Sequence, residues 1–356
     1  LSDSLGGAPV TLGDVGFELR MPSMHLTLLA YDVALSLDDS SVVVPEASAV
    51  FEPGALLRFV PSEIRFSGAE LDLTIGEDGS FTAPAGLLAV LAGPAMNDGA
   101  IIERSRQLRV DSSSFTLRSG DPALAPLSFG EVELEVMMAA DGTFVASFDG
   151  RRLSEKGPGG RISVAAIGDA GSMDIRLDVK VDDFRLAALS PFLPQLPEAL
   201  SDIGSTSGNA NVMLTAGKIV AADIDMVALG GRLDLSPAGL PVLEYDTASV
   251  IMEYKGETGS LVLAQGELAL ADGRTLALSG DVDALHGPTP QLAFRFRGNR
   301  WPIEQIYADW PSGLADEARE ELQKRFSRGD LADFTIEVTG GIDRARSQLQ
   351  IVSLDL

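Results

Sequence analysis

Strict alternation between apolar and charged side chains is the feature that most constrains how this chain folds. It is clearest in residues 131–136 (EVELEV) and 174–181 (DIRLDVKV). Successive side chains of a strand point to opposite faces, so each run predicts a strand that is buried on one side. Asp-Gly pairs separate such runs at Asp78-Gly79, Asp141-Gly142 and Asp272-Gly273, and Asp-Gly is typical of tight hairpin turns. The pattern predicts a mainly β protein.

A loose repeat supports a chain of hairpins. A glycine followed by alternating leucines begins at Gly68, Gly231 and Gly266. The spacing between the copies is irregular, which favours an extended antiparallel meander over a solenoid of fixed period.

Three later segments have a different pattern. Residues 248–252, 261–264 and 268–271 carry apolar or small side chains at nearly every position. Antiparallel sheets usually keep one face polar against water. The sequence therefore predicts strands that are apolar on both faces, with the second face covered by helices, another sheet or a ligand.

The chain has no sharp domain boundary. We expect residues 1–160 to form the first part of the sheet and residues 161–340 to continue it. Within the second part, prolines predict an irregular helical excursion over 184–200, and charge and Gly329 predict a helix over 316–328. The glycine-rich segment 155–160 is favoured as a long hairpin loop over a linker. Residues 341–356 are expected to be the truncated start of a further strand region.

The ends of the sequence predict a piece of a longer protein. The first residue is Leu1, and the last residues alternate as a strand does. No stretch approaches the roughly 20 apolar residues of a membrane span. We expect any anchor or targeting signal to lie outside this sequence.

Composition and motifs argue against several functions. The net charge of −25 disfavours nucleic acid, and the absence of cysteine excludes disulfides and cysteine-based metal sites. His25 and His286 have no catalytic partner at a diagnostic spacing. Phosphate-binding and nucleophile motifs are absent from the sequence. We therefore expect no enzyme activity, no cofactor and no metal. Adjacent acids are interpreted as solvated faces, at Asp38-Asp39, Asp182-Asp183 and Glu320-Glu321.

Two groups of arginines have the spacing of a possible nucleic-acid surface. The first consists of Arg104, Arg106 and Arg109; in the second, Arg295, Arg297 and Arg300 alternate with Phe294, Phe296 and Trp301. In so acidic a chain, an amphipathic strand whose arginines pair with carboxylates is the favoured interpretation.

A resemblance to a known family is carried by residues 303–315 (IEQIYADWPSGLA), by the helix bearing Arg319, and by the exit through Gly329-Asp330 into a strand. This region resembles the AsmA-like proteins, in particular the YhdP branch. Residues 238–280 and, more loosely, 56–79 are similar to hairpin regions of the same family.

The resemblance implies a curled antiparallel sheet that forms a hydrophobic groove (taco-like) in a periplasmic, inner-membrane-anchored bridge. It implies phospholipid acyl chains as ligand, carried between the inner and outer membranes. It further implies the inner membrane, reached through a missing N-terminal helix, and outer-membrane or periplasmic proteins as partners. The groove-lining candidates are Val212, Leu214, Val250, Met252, Leu261, Leu263, Leu268, Leu270, Leu276 and Leu278.

Two alternatives remain open at this point. The same leucines and valines could form the core of a two-sheet sandwich. The whole chain could instead be a structural or adhesive β-repeat module that binds protein or glycan. That module would need exposed polar and aromatic clusters, whereas the chain has 2 Trp and 4 Tyr.

Overall fold

The computed structural model describes residues 10–20, 25–37, 40–52, 61–75, 81–82, 107–119, 124–139, 141–154, 157–169, 171–189, 202–234, 242–308, 316–343 and 348–355. The strands in these residues are β1 (Val10–Thr11), β2 (Val15–Arg20), β3 (His25–Leu37), β4 (Ser40–Phe51), β5 (Glu63–Ser67), β6 (Glu70–Ile75), β7 (Phe81–Thr82), β8 (Gln107–Ser119), β9 (Leu127–Met138), β10 (Thr143–Ser154), β11 (Gly157–Asp169), β12 (Asp174–Arg185), β13 (Ser205–Thr215), β14 (Lys218–Asp234), β15 (Val242–Lys255), β16 (Ser260–Leu270), β17 (Thr275–Asp283), β18 (Gln291–Pro302), β19 (Asp330–Asp343) and β20 (Gln348–Asp355).

Helices are a small part of the described chain. A 3-10 helix spans Leu186–Leu189, α1 spans Ile303–Ala308 and α2 spans Asp316–Arg325. The predicted helix over 316–328 is therefore present and ends three residues earlier, before Gly329, whose φ is +127°. The prediction of a mainly β fold is confirmed.

The chain forms two compact units. Unit 1 comprises Leu1–Phe184 with Ala188–Pro194, and unit 2 comprises Arg185–Ala187 with Gln195–Leu356. The division falls within the predicted excursion 184–200, of which residues 190–200 lie outside the described part. Residue 160 is not a boundary, because β10 and β11 form one antiparallel hairpin in which Ser154 lies opposite Gly157.

Unit 2 is a simple antiparallel meander. From β13 to β20, each strand pairs with the next one along the chain. Residues 341–356 accordingly hold the end of β19 and the strand β20, which pairs with it.

Unit 1 is antiparallel except around β8. Strands β5 and β6 both run parallel to β8, with Glu63 opposite Gln107 and Glu70 opposite Ser114. Strand β7 runs antiparallel to β6, so the chain has already reversed direction once between the parallel strands β6 and β8. From β8 to β12 the meander is regular.

In the two Asp-Gly turns within the described residues, only the glycine has a backbone conformation in the left-handed region. Gly142 and Gly273 have φ of +89° and +86°. Each aspartate instead accepts a hydrogen bond from the backbone two residues on, from the Thr143 N–H at 3.0 Å and the Arg274 N–H at 3.1 Å. The side-chain hydroxyl and backbone N–H of Thr143 hold the pKa of Asp141 below its usual value. Asp78-Gly79 lies outside the described residues.

Left-handed residues inside the strands keep the apolar side chains in phase. Asp32, Ser112, Glu131, Asp183 and Arg300 have φ between +50° and +61°. At Ser112 and Glu131 the bulged strand gains a residue against its partner, so the alternation shifts by one position. Across Ser112, for example, the buried side chains are Val110 and then Ser113, three residues apart rather than two. The apolar series therefore continues on the same face beyond each bulge.

The bulge at Ser112 gives a test of this backbone geometry. We expect Ser112→Val to lower the free energy of unfolding by about 1–2 kcal/mol, because a β-branched residue is strained at a left-handed φ. Ser112→Gly should change it by less than about 0.5 kcal/mol, since relief of strain is offset by greater freedom of the unfolded chain. Urea unfolding of both variants measures this.

Ser114→Val is the matched control, because Ser114 lies in the same strand without a left-handed φ and valine suits an ordinary strand position. Equal losses of stability in Ser112→Val and Ser114→Val would contradict the assignment of strain to the bulge.

Candidate functional site

Strand register brings the ten candidate side chains onto one face of unit 2. Residues directly opposite each other on paired strands share a face. Val250 lies opposite Gly266 and Met252 opposite Leu263, while Leu268 lies opposite Leu276. The alternation within each strand then places the other candidates on the same face. The sequence alone could not decide whether the candidates share a face.

This face, called here the apolar face of unit 2, extends across β13 to β19. Its further members come from the same registers and were missed by the sequence analysis: Ala210, Ala222, Ile224, Met226, Ala248, Val282, Leu292, Phe294, Phe296, Phe334, Ile336 and Val338. None of the described side chains that the registers place on this face is charged.

The opposite face of unit 2 carries the charged side chains together with a few exposed apolar ones, Met213, Val227, Leu229 and Ile251. In β15 to β19 it carries Glu253, Glu267, Asp281, Arg295 and Glu337 among serines, threonines and alanines. Within the three segments singled out in the sequence, the outward positions are Ser249, Ile251, Val262 and Ala269, so apolar or small side chains do lie on both faces there, and the charged residues lie beyond the segments. Ala269 exposes little surface there, whereas Ile251 is 41% exposed, so the second face is not covered at that position.

Unit 1 has the same two-sided arrangement. Its apolar face, placed by register, includes Phe17, Leu19, Leu26, Leu28, Ile64, Phe66, Leu108, Val110, Leu134, Val136, Phe144, Ala146, Phe148, Val164, Ala166, Leu177, Val179 and Val181. The side chains named here are uncharged, but the register also places Arg152 on this face, opposite Phe129.

Ion pairs occupy the other side of unit 1. Arg65 contacts Asp111 at 2.9 Å, and Arg109 contacts Asp111 at 3.4 Å and Glu135 at 4.0 Å. These contacts link β5, β8 and β9. Burial opposes ionisation of Asp149, but its hydrogen bonds from Arg161 and Ser163 prevail and lower its pKa. These charged side chains therefore pair with one another on the face opposite the apolar one.

One end of the apolar face of unit 2 is a closed cluster. It consists of Ala228, Leu243, Tyr245, Leu270 and Trp301, which are at most 8% exposed. The partly buried Leu268, Leu276, Phe334 and Ile306 of α1 pack against it. Of the ten candidates, Leu270 therefore belongs to a sealed core and is 2% exposed, while Leu268 and Leu276 border that core.

Hydrogen bonds satisfy the polar atoms inside the closed cluster. The Trp301 indole N–H donates to the Thr275 carbonyl at 3.1 Å, and the Arg274 guanidinium lies 4.3 Å from the centre of the indole ring. The Tyr245 hydroxyl accepts from the Gly204 N–H at 3.4 Å, and burial raises the pKa of Tyr245. The cluster is therefore a structural element.

The remaining seven candidates form what is called here the open part of the apolar face. They are all half-buried: Val212, Leu214, Val250, Met252, Leu261, Leu263 and Leu278. Side chains inside a sealed two-layer core are normally almost fully buried. The open part is therefore an apolar wall that its own unit covers incompletely.

The arginine-bearing strand β18 follows the predicted amphipathic pattern. Phe294 and Phe296 face the apolar side, and their rings lie 6.4 Å apart. Arg295 points to the polar face and contacts Glu337 at 2.6 Å. In the first arginine group, Arg104 and Arg106 lie outside the described residues, and Arg109 is paired as described above.

Within the described residues, no group of three or more histidine or acidic side chains could hold a metal ion. His286 Nε2 lies 2.9 Å from the Tyr254 hydroxyl, on the hairpin turns at the end of unit 2 opposite the closed cluster. Asp182, Asp183 and Glu320 are exposed, whereas Asp38-Asp39 and the Glu321 side chain lie outside the described part. The described helices include none that is long and apolar enough to span a membrane.

Comparison with known proteins gives no further guide to the site. No family model, curated protein or solved structure matches this chain. The chemistry of the two faces is therefore the basis for a functional proposal.

The division of the apolar face into a closed cluster and an open part can be measured by stability. We expect Leu270→Ala to lower the free energy of unfolding by about 2–5 kcal/mol, because it leaves a cavity in a sealed core. Leu263→Ala, the matched change on the open part, should cost less than about 1.5 kcal/mol, since little of its environment is closed. Urea unfolding followed by tryptophan fluorescence reports this, because Trp301 lies inside the cluster. Equal costs for the two variants would contradict the division.

Proposed function

We propose that this chain is a non-enzymatic segment of an envelope protein whose apolar faces hold the acyl chains of phospholipids during transfer between membranes. The ligand lies on the open part of the apolar face of unit 2 and on the corresponding face of unit 1. Its headgroup stays in water.

The absence of charge from the described apolar face of unit 2 is the observation that carries the proposal. The chain has 52 acidic and 27 basic residues, yet its registers place none of the described ones on the apolar face of unit 2; in unit 1 they place Arg152 there, opposite Phe129. An acyl chain needs such a wall because it has no polar atom to pair with a charged side chain. Each buried CH₂ contributes about 0.8 kcal/mol, so ten methylenes gain about 8 kcal/mol from contact alone.

Half-burial of the open part supports an exchangeable ligand. Val250, Met252, Leu263 and Leu278 retain accessible apolar surface on neighbouring strands. Large exposed apolar patches are uncommon on soluble proteins and mark binding surfaces. Because hydrophobic contact is non-directional, a chain can also slide along such a wall without breaking specific bonds.

The closed cluster has a separate role in the proposal. The side chains of Tyr245, Leu270 and Trp301 fill the space at this end of the strands, so a ligand has no room there. The cluster seals one side of the wall, and acyl chains contact the rows between it and the hairpin turns. The ligand therefore lies over Met252, Leu263 and Phe294 rather than over Leu270.

The envelope setting comes from the resemblance to the AsmA-like proteins. We propose that the full-length protein is anchored in the inner membrane, crosses the periplasm and delivers phospholipid to the outer membrane. The acidic, ion-paired polar faces fit this setting because their charges keep the side away from the ligand in contact with water.

Site-specific photo-crosslinking tests the proposal. We expect p-benzoyl-phenylalanine at Leu263 or Leu278 to crosslink phospholipid in the bacterial envelope, because both side chains lie on the open part. The same probe at Ala277 or Ser279, neighbours of Leu278 that face the polar side, should give none. Mass spectrometry of the adducts identifies the lipid.

A second measurement distinguishes bound lipid from chance contact between lipid and the crosslinking probe. Native mass spectrometry of the purified chain should show co-purified phospholipid, and Leu263→Asp with Leu278→Asp should reduce it at least tenfold while circular dichroism stays unchanged. Equal crosslinking from both faces, or a clean protein mass with no crosslink from Leu263, would sink the proposal. The second result would favour a structural module.

A further inference from the structure

The polar face of unit 2 contains a depression that the lipid proposal does not use. It has a volume of about 360 Å³ and is lined by side chains of β15 to β19, among them Glu267, Ala277, Arg297 and Asp333. A second depression of about 220 Å³ adjoins it and shares Ala277 and Arg297. The two are called here the polar trough.

Side-chain size explains why a trough lies on this face of the sheet. Its floor consists of Ser249, Ala269, Ala277 and Ser279, which reach only a short distance from the backbone. Longer side chains, Glu267 and Arg297, stand on either side of Ala277 in the register. Strands are about 4.8 Å apart, so a trough crossing five strands is roughly 19 Å long.

Arg297 is the free cation of the trough. Its neighbour on the same strand, Arg295, is held by Glu337 at 2.6 Å. Arg297 is exposed and makes no ion pair or hydrogen bond within the described part of the chain, although Glu267 and Asp333 line the same depression. The Glu267 carboxylate accepts a hydrogen bond from Gln265 at 3.0 Å instead. A guanidinium without a partner in so acidic a protein is available to a ligand carboxylate.

The charges of the trough follow a fixed order across the strands. Glu267 on β16 is negative, Arg297 on β18 is positive and Asp333 on β19 is negative. Glu267 and Arg297 lie two strands apart, which is roughly 10 Å. Arg297 and Asp333 lie on adjacent strands, with an offset of two residues along the strand. Alternate residues of an extended peptide are about 7 Å apart, and lysine side chains can span the difference.

We propose that the polar trough binds an extended peptide segment of a partner protein in which one acidic residue is flanked by two basic residues. The acidic side chain pairs with Arg297, and the basic side chains pair with Glu267 and Asp333. This inference concerns the face opposite the lipid wall and does not depend on lipid binding.

The lining argues against other classes of ligand. An acyl chain bound in the trough would exclude water from Arg297 and its acidic neighbours without offering them a polar partner. A glycan site usually presents an aromatic ring, and none lines either depression. A phosphate group would be repelled by Glu267 and Asp333 on both sides of the arginine. A peptide of alternating charge satisfies all three groups.

Fluorescence polarisation with two fluorescein-labelled pentapeptides tests the inference. The probe is Lys-Ala-Glu-Ala-Lys, and the control, Lys-Ala-Lys-Ala-Glu, has the same composition in a different order. We expect the probe to bind at low ionic strength at least fivefold more tightly than the control. Arg297→Glu should weaken the probe at least tenfold.

Arg176→Glu is the matched control variant, because Arg176 is an exposed arginine of β12 in unit 1 and carries no part of the trough. It should leave probe binding unchanged. Arg297→Glu should in turn bind Lys-Ala-Lys-Ala-Lys more tightly than the parent does, since the order of charges is then all negative. Equal binding of probe and control, equal effects of the two variants, or no binding of the probe would each overturn the inference.

Discussion

The separation of charge from apolar surface is the constraint on which the rest of this structure depends. A β-sheet has two faces. A charged side chain on the apolar face would therefore lie against apolar neighbours with no partner. Apart from Arg152 in unit 1, the chain avoids this through register and through left-handed residues such as Ser112 and Glu131, which shift the alternation by one position where the backbone bends. Without those shifts, the apolar series of β8 and β9 would emerge on the polar side beyond each bulge.

Stability and the proposed lipid wall are met by different parts of the same apolar face. The closed cluster around Leu270 and Trp301 buries its side chains almost completely and has its polar atoms bonded, as a protein core requires. The open part, around Leu263 and Leu278, is only half-buried. A face sealed along its whole length would be more stable and could not accept a ligand, so the incomplete cover is what the proposed function needs.

The polar faces have an effect beyond keeping the sheet in solution. Cross-strand pairs such as Arg65 with Asp111 and Arg295 with Glu337 place opposite charges side by side in a protein of net charge −25. Exposed pairs of this kind contribute little stability one by one, typically about 0–1 kcal/mol. Their effect is on specificity of register, since a slip of one residue would move carboxylates onto the apolar side. Arg297, left out of this pairing, is the exception on which the proposed peptide site rests.

The sequence by itself determined the strands, most turns and the helix at 316, because alternation, Asp-Gly pairs and helix-end charges are local signals. It also selected the ten apolar candidates by type. Only the tertiary structure decided that they share one face, that Leu270 is sealed while Leu263 is open, and that β5 and β6 run parallel to β8. The physical reason is that face, burial and strand direction depend on which distant strand lies alongside and where a bulge shifts the phase. Neither is encoded in the spacing of residues along the chain.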